Sequence, residues 1–224
     1  KLKSEWLIKL PDAFTMQEAM AIGTAGYTSM LCVLALEKAG VTPDKGDILV
    51  TGAAGGVGSV AIALLSKLGY RVIASSGRQE THDYLKKLGA AEVISREETM
   101  GKGRPFDKER WSGAVDCVGS NILAAVIAQI NYGGAVAACG LAGGNDLPTS
   151  VLPFILRSVS LLGVDSVMAP REKREEAWAR LAKDLDKSLF EDMIRVEPMS
   201  NLPTLAGEIL KGQVKGRVVI DVNA

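Results

Sequence analysis

A glycine-rich turn between an apolar strand and an apolar helix constrains this chain more than any other feature. Residues 48–63 read Ile-Leu-Val-Thr-Gly-Ala-Ala-Gly-Gly-Val-Gly-Ser-Val-Ala-Ile-Ala. A turn without bulky side chains lets a phosphate approach the first amides of the following helix, where the helix dipole and the unpaired N–H groups favour an anion. The pattern therefore predicts a strand, a turn and a helix that together bind a dinucleotide.

Two known glycine signatures overlap in this turn. Ala53-x-Gly55-x-x-Gly58 is the dinucleotide fingerprint with alanine at its first glycine, whereas Thr51-Gly52-x-x-x-Gly56-x-Gly58 is typical of short-chain dehydrogenases. The short-chain class also needs a downstream Tyr-x-x-x-Lys pair, and no tyrosine of this chain has lysine four positions on. That class is therefore excluded.

The composition is that of an ordinary globular protein and argues against several kinds of partner. The 224 residues are 47% hydrophobic and 23% charged, and the formal net charge is zero. A neutral chain has no electrostatic basis for binding nucleic acid or an acidic membrane surface. Its apolar runs are interrupted at intervals of about ten residues, so no membrane-spanning run is expected.

The cysteines and the single histidine predict neither a disulfide framework nor a zinc site. Cys32, Cys117 and Cys139 are odd in number and far apart in sequence, and His82 is the only histidine. We interpret the thiols as small, buried, apolar side chains in a reducing compartment. No secretory signal opens the sequence, so a cytoplasmic protein is expected.

Alternating strands and helices predict an α/β fold with a doubly wound parallel sheet of the Rossmann type. An opening strand is expected over residues 6–10, and a helix from Met16 to Lys38 is expected to divide at its glycine-rich middle. The further predicted strands are 48–51, 71–75, 92–95, 113–118, 134–139, 160–164 and 216–222. A further helix is expected from the glycine turn to about Leu68, and others over residues 80–88, 122–129, 172–186 and 205–210.

The end of the second strand selects the cofactor. An NAD site places Asp or Glu about twenty residues after the glycines, where this chain reads Ser75-Ser76-Gly77-Arg78. Hydroxyl groups and a guanidinium suit a 2′-phosphate, which arginine can bind through two hydrogen bonds. The sequence therefore predicts NADPH. The alternative is that Arg78 is only a solvated turn residue.

Several segments together resemble the medium-chain dehydrogenase/reductase superfamily. They are Gly23-Thr-Ala-Gly-Tyr-Thr-Ser, Val50-Thr-Gly-Ala-Ala-Gly-Gly-Val-Gly and Leu68-Gly-Tyr-Arg-Val-Ile-Ala-Ser-Ser-Gly-Arg. A narrower resemblance, to the zinc-free acrylyl-CoA reductase subgroup, rests on Gly140-Leu-Ala-Gly-Gly, Leu147-Pro-Thr-Ser-Val-Leu-Pro-Phe-Ile-Leu-Arg and Leu162-Gly-Val-Asp-Ser-Val.

The resemblance implies a two-domain enzyme that forms homodimers. Residues 1–12 would end a GroES-like β-barrel domain of roughly a hundred residues, most of which would precede the chain. Residues 13–212 would be the NADP-binding Rossmann domain, and residues 213–224 would return to the barrel. The family's active-site tyrosine would lie in the preceding domain, so no catalytic residue is assigned, and this chain alone is expected to be inactive.

The resemblance also assigns cofactor contacts, position by position. Thr28 would approach the nicotinamide ribose, Ser76 and Arg78 would hold the 2′-phosphate, and Arg217 would reach the diphosphate. The remaining contacts are the diphosphate turn Gly55, Gly56, Val57 and Gly58, the strand ends Cys117, Gly119, Cys139 and Gly140, and the carboxamide-facing residues Asp165 and Ser166. As alternatives, Thr28 would cap a helix, Asp165 would form a turn and Arg217 would lie on the surface.

The reaction implied by the resemblance is the NADPH-dependent reduction of acrylyl-CoA to propionyl-CoA. Charge that develops on the thioester oxygen would need hydrogen-bond donors. One alternative on the same scaffold is an NADPH:quinone or other enone reductase. The other is a non-catalytic NADP-binding module.

Overall fold

One parallel sheet of six strands organises the chain. The computed structural model describes the backbone of residues 2–224 and every side chain among them except that of Glu5. The strands are β1 (Ile48–Val50), β2 (Val72–Ser75), β3 (Glu92–Ile94), β4 (Trp111–Asp116), β5 (Ile130–Ala138) and β6 (Ser160–Gly163). Their order across the sheet is β3-β2-β1-β4-β5-β6, and all neighbours are parallel. The predicted Rossmann-type sheet is confirmed.

Helices cover both faces of this sheet. They are α1 (Met16–Lys38), α2 (Gly56–Lys67), α3 (His82–Lys87), α4 (Arg96–Met100), α5 (Ser120–Ala128), α6 (Leu152–Arg157), α7 (Arg171–Asp184), α8 (Phe190–Met193) and α9 (Leu202–Leu210). Residues of α1, α2, α3 and α7 form one apolar core, and α5 packs a second core against the opposite face. The strand residues are apolar on both sides because both faces are buried.

Helix α1 begins and divides where the sequence indicates. Thr15 caps it, since its Oγ1 accepts the Glu18 amide at 3.2 Å and the Glu18 carboxylate accepts the Thr15 amide at 2.6 Å. Gly23, with φ 46° and ψ −155°, interrupts the helix as expected. The helix is long and apolar enough to meet a membrane-span criterion, contrary to our expectation, but 61% of that window is buried in the fold, as in a core helix.

Two sequence expectations about strands were wrong. Residues 6–10 form no strand: a 3₁₀-helix occupies Ser4–Trp6, and residues 7–11 follow without regular structure. Alternation alone does not make a strand, because a strand also needs a neighbour with which to exchange backbone hydrogen bonds. In addition, β4 and β5 begin at Trp111 and Ile130, before their predicted starts, and their pairing shifts register between Trp111 and Gly113.

A second, two-stranded sheet lies near the end of the chain. Strands β7 (Ile194–Pro198) and β8 (Arg217–Asp221) are parallel, with Val196 opposite Val219. Sequence reasoning anticipated β8 but not β7, whose Arg-Val-Glu alternation is short and charged. The assignment of residues 1–12 and 213–224 to another domain stays a prediction.

Candidate functional site

The candidate residues gather at the carboxyl end of the six-stranded sheet. Chain connections leave β1 towards β2 on one side, while β4 flanks β1 on the other. Such a reversal of strand order opens a crevice outside the carboxyl ends of the strands, where open α/β sheets bind ligands. The glycine turn and the loops after β2, β4, β5 and β6 all leave the sheet at this edge.

The glycine turn is shaped by close contact between backbones. A Cβ added to Gly58 would lie 2.5 Å from the Gly52 carbonyl oxygen and 2.6 Å from the Ala53 Cα. Gly52 has φ +59°, and its carbonyl accepts the Gly55 amide at 3.0 Å. Gly58 thus lets α2 pack directly onto the turn, and Gly52 supplies a conformation that residues with side chains rarely adopt.

The amino end of α2 carries no protein cap and lies beside an arginine. Gly55 is the N-cap residue and has no side chain to accept the first amides. A Cβ on Gly56 would lie 2.6 Å from Nη1 of Arg217, so the guanidinium covers this residue closely. The Val57 carbonyl accepts the Ser29 hydroxyl at 2.8 Å, which ties α1 to the first turn of α2.

Arg217 is held in place without a carboxylate partner. Its Nε donates to the Ala21 carbonyl at 2.7 Å, and burial lowers the pKa of its guanidinium. Among the described side chains, no acidic group lies within ion-pair distance of it. A partly buried cation without a counter-ion, beside uncapped helix amides, is an arrangement that suits an anion.

Asp116 and Thr51 fix the relative position of the loops, a role that the sequence analysis assigned to neither. Asp116 is fully buried at the end of β4, where it accepts the Thr51 hydroxyl at 2.6 Å and the Gly119 amide at 2.7 Å. Thr51 Oγ1 in turn accepts the Cys117 amide at 3.1 Å. Burial raises the pKa of the Asp116 carboxyl, although the hydrogen bonds from Thr51 and Gly119 oppose that rise.

The loops after β4 and β5 pack backbone against backbone. A Cβ on Gly119, whose φ is +75°, would lie 2.6 Å from the Gly144 carbonyl oxygen. A Cβ on Gly140 would lie 2.4 Å from the carbonyl oxygen of Cys117. Both glycines therefore have a packing role in addition to the predicted cofactor contact. Cys117 and Cys139 lie side by side here, with their sulfur atoms 3.9 Å apart.

At the other end of the crevice, Ser76 and Arg78 follow β2 as predicted. The Ser76 hydroxyl is buried, shares a hydrogen bond of 3.0 Å with Thr81 Oγ1 and accepts the Arg78 amide at 3.2 Å. The Arg78 Nη2 donates to the Val214 carbonyl at 3.3 Å. Arg78 is thus partly buried and anchored, not a freely solvated turn residue.

Two further cations contact residues close to this loop, and neither was anticipated. The Arg96 guanidinium lies over Gly77, since a Cβ there would be 3.1 Å from Arg96 Nε. The Lys215 ammonium sits 4.5 Å from the centre of the Tyr84 ring. Arg96 could have been predicted from its place soon after β3, because neighbouring parallel strands end at the same edge of the sheet. Nothing in the sequence indicates that Lys215 lies here.

Thr28 lies within α1, whereas Asp165 and Ser166 follow the end of β6. Thr28 is buried inside α1, where its hydroxyl donates to the Thr24 carbonyl at 2.7 Å, so it does not cap a helix. Asp165 Oδ1 accepts the amides of Val167 at 2.7 Å and Met168 at 3.1 Å, which is the turn we considered as its alternative role. Their contacts with a cofactor stay predictions.

Comparison with known proteins decides the family. A family model described as zinc-binding dehydrogenase matches residues 56–183. Acrylyl-CoA reductase AcuI of Ruegeria pomeroyi is 54% identical over 224 residues, which cover 100% of this chain and 68% of the relative. The chain belongs to the zinc-binding dehydrogenase family. The resemblance to its medium-chain superfamily and acrylyl-CoA reductase subgroup is thereby confirmed.

Other members of the family agree in fold and extent. YhfP of Bacillus subtilis, for which a quinone oxidoreductase activity has been suggested, is 46% identical over 218 residues, covering 96% of this chain and 66% of the relative. The crystal structure of the yhdH oxidoreductase from Salmonella enterica in complex with NADP superposes with a TM-score of 0.97 at 54% identity, covering 99% of this chain and 68% of that one. This chain therefore spans about two thirds of its relatives' length.

The family description refers to zinc, and the donor set of this chain does not fit that metal. Across the part of the chain that the structure describes, no group of three or more His, Cys, Asp or Glu side chains could hold a metal ion. Zinc sites need three or four such ligands. We therefore derive no step through zinc.

Proposed function

We propose that this chain is the cofactor-binding part of an NADPH-dependent reductase that reduces the C=C bond of an α,β-unsaturated thioester, acrylyl-CoA to propionyl-CoA. The observation that carries the proposal is the Arg217 guanidinium, which lies on Gly56 without a carboxylate partner. The 54% identity to an acrylyl-CoA reductase supports the substrate class.

The residues present fit a dinucleotide along the carboxyl edge of the sheet. The backbone of Gly55, Gly56, Val57 and Gly58, with Arg217 beside it, would hold the diphosphate, because bare amides and a cation both favour an anion. Ser76 and Arg78 would hold the 2′-phosphate, with the positive charge of Arg96 nearby. No carboxylate stands in that place to prefer the free hydroxyl of NAD.

The carboxyl ends of β4, β5 and β6 would position the nicotinamide end. Cys117, Gly119, Cys139 and Gly140 would contact it there, at loops whose backbones are packed tightly against each other. When bound, NADPH supplies the hydride, and the protein contributes orientation and exclusion of water. Thr28, Asp165 and Ser166 would complete this end. The donor for the thioester oxygen stays unassigned.

Calorimetry on this chain tests the cofactor assignment. We expect NADPH to bind more tightly than NADH, and Gly55→Ala to lose both while retaining its circular dichroism spectrum. Gly55 has φ −80°, so the backbone dihedral angles suit alanine, and its methyl group would lie in the turn, 3.3 Å from the Gly52 carbonyl oxygen. If the Gly55→Ala protein is folded and its cofactor affinity is unchanged, the diphosphate does not bind at this turn.

Turnover separates the substrate classes. A protein in which the GroES-like domain precedes this chain would be given acrylyl-CoA or a benzoquinone, with NADPH oxidation as the readout. Faster reduction of acrylyl-CoA supports the proposal, whereas reduction of the quinone alone favours the quinone reductase alternative, which the likeness to YhfP keeps open. Cofactor binding without turnover of either would indicate a non-catalytic module.

We also propose a homodimer that forms through the β6 edge of the sheet. The outer edge of β6 has no partner strand in the structure as described. The neighbouring helix α6 exposes Ile155 and Leu156 at 68% and 58%. An unpaired edge beside exposed apolar side chains suits pairing with a second copy, whereas the opposite edge strand, β3, carries the charged Glu92.

Light scattering would test the dimer with a matched control. We expect Ile155→Glu with Leu156→Glu to shift the wild-type dimer to monomer, and Leu210→Glu, at an 89% exposed apolar site elsewhere, to leave it intact. A monomeric wild-type protein would contradict the proposal. We further propose a cytoplasmic location, which three free cysteines support and fractionation of cells would check.

A further inference from the structure

Two of the three cysteines, Cys117 and Cys139, are distant in sequence but meet at the carboxyl edge of the sheet. The sulfur atoms of Cys117 and Cys139 are 3.9 Å apart, and the buried Cys32 belongs to the apolar core against which both pack. All three are free thiols. The sequence predicts small, buried, apolar side chains, which Cys32 is, whereas Cys117 and Cys139 are only partly buried and are direct neighbours across adjacent strands.

The backbone around Cys117 and Cys139 is well fixed. Each residue directly follows its strand, and the register of β4 and β5 ends with Asp116 opposite Ala138, so the cysteines are the next pair. The Cys139 amide donates to the Asp116 carbonyl at 3.0 Å, which continues the ladder. Neighbouring strands lie about 4.8 Å apart, within the Cα separations of about 4.4 to 6.8 Å that disulfides bridge.

The three thiols differ in exposure and in acidity. Cys117 and Cys139 are partly exposed, whereas Cys32 is completely buried. The hydrogen bond with Cys117 lowers the pKa of Cys139, and the proximity of Cys139, together with burial, raises the pKa of the other two thiols. Because the thiolate is the nucleophile, this difference favours Cys139 as the sulfur that attacks an oxidant.

We propose that Cys117 and Cys139 form a reversible oxidation site, in which hydrogen peroxide closes an intramolecular disulfide. The Cys139 sulfur attacks one peroxide oxygen, the O–O bond breaks, one water leaves and Cys139 becomes a sulfenic acid. The Cys117 sulfur then attacks that sulfur, the S–O bond breaks and a second water leaves. Two thiols lose two electrons and two protons, and one peroxide becomes two waters.

The site lies where the proposed function puts the nicotinamide end of NADPH, so its effect on the cofactor rests on that function. A bound cofactor would cover the carboxyl ends of β4 and β5 and shield both sulfurs. Coupling between two binding or modification events is reciprocal. We therefore expect NADPH to slow disulfide formation about tenfold or more, and the disulfide form to bind NADPH more weakly.

Peptide mass mapping tests the bond itself. No lysine or arginine lies between Trp111 and Arg157, so trypsin leaves Cys117 and Cys139 in one peptide and Cys32 in another. After peroxide treatment, we expect the peptide 111–157 to lose two hydrogens, and chymotryptic cleavage at Tyr132 then to give two linked pieces. Dithiothreitol should restore the original mass.

Matched variants keep the result interpretable. We expect the Cys32→Ala protein to form the same disulfide. In the Cys117→Ser protein, oxidation should stop at Cys139 sulfenic acid, without a disulfide. Both proteins should retain the wild-type circular dichroism spectrum. Three thiols that stay free in wild type, a Cys32–Cys139 link or disulfides between separate chains would each overturn the site.

The cofactor measurement is separate from the mapping. Failure of the reduced wild-type protein to bind NADPH would defeat the proposed function, and the mass map would still decide whether the disulfide forms. If NADPH binds to the reduced protein and gives no protection, the proposed overlap between the disulfide and the nicotinamide end is wrong.

Discussion

Two regions form the amino end of α2, one adjacent to the helix in sequence and the other distant from it. The turn at residues 51–55 is continuous with the helix, and its shape follows from glycines that lie within a few residues of one another. Residues 214–217 come from the far end of the chain and bring the charge, through Arg217 on Gly56 and Lys215 over Tyr84. The comparison shows backbone shape specified locally and charge delivered by tertiary contact.

The largest effect is expected from a substitution that disrupts the packing of α2 on the glycine turn. Gly58→Val would push side-chain atoms into the Gly52 carbonyl and the Ala53 Cα, so we expect the free energy of unfolding to fall by at least about 3 kcal/mol. Urea denaturation would measure it. Gly207→Ala in α9, where an added Cβ meets nothing within 4 Å, serves as the control and should change stability by no more than about 1 kcal/mol. A similarly small loss for Gly58→Val would mean that the turn tolerates side chains.

Removing the distant charge should weaken binding without unfolding the chain. Because the diphosphate is common to both cofactors, Arg217→Gln is expected to reduce the affinity for NADPH and NADH alike, by roughly 10- to 100-fold, as for a lost hydrogen bond to a charged group. Calorimetry would measure both. Arg195→Gln, on the adjoining strand β7, should change neither. A loss confined to NADPH would assign Arg217 to the 2′-phosphate instead.

A substitution at Arg78 tests whether the 2′-phosphate and the diphosphate are bound by different residues. Arg78→Ala should weaken NADPH about tenfold or more and leave NADH within about twofold, because only NADPH carries the 2′-phosphate that a guanidinium can bind through two hydrogen bonds. Competition binding against both cofactors gives the ratio. An equal loss for the two would show that Arg78 does not distinguish them.

The smallest effect is expected at Lys215. Its ammonium is exposed, so Lys215→Gln should weaken NADPH by about two- to threefold, a difference that disappears in high salt because exposed charges are screened. Titrations at low and high salt would measure it. Lys211→Gln, four residues earlier in the same exposed segment, is the control. Equal effects of the two substitutions on NADPH affinity would mean that the affinity depends on total charge and not on the position of Lys215.

Much of the fold was predictable because neighbouring residues decide it. The strands of the large sheet were recognised from apolar runs, the division of α1 at Gly23 from the glycines around it, and the helix ends from Gly40, Gly69 and Gly89. All four glycines have positive φ. The opening strand failed for the opposite reason, since alternation of residues 6–10 says nothing about whether a partner strand exists.

The candidate site was predictable in part. Sequence position indicated Ser76 and Arg78 because they directly follow β2, and Gly58 because it stands in a recognisable motif. Asp116 was missed because its role depends on a hydrogen bond to Thr51, which is 65 residues away. The proximity of Cys117 to Cys139 depends on the register between β4 and β5, which no pattern in either strand specifies.

By itself the sequence determined the strands of the large sheet, the bare backbone at the start of α2 and the missing carboxylate after β2, because each depends on residues close together in the chain. Only the tertiary structure decided that Arg217 covers Gly56, that Arg96 lies over Gly77 and that two thiols become neighbours. Those contacts depend on how strands pair and helices pack, and packing joins residues whose separation along the chain carries no signal.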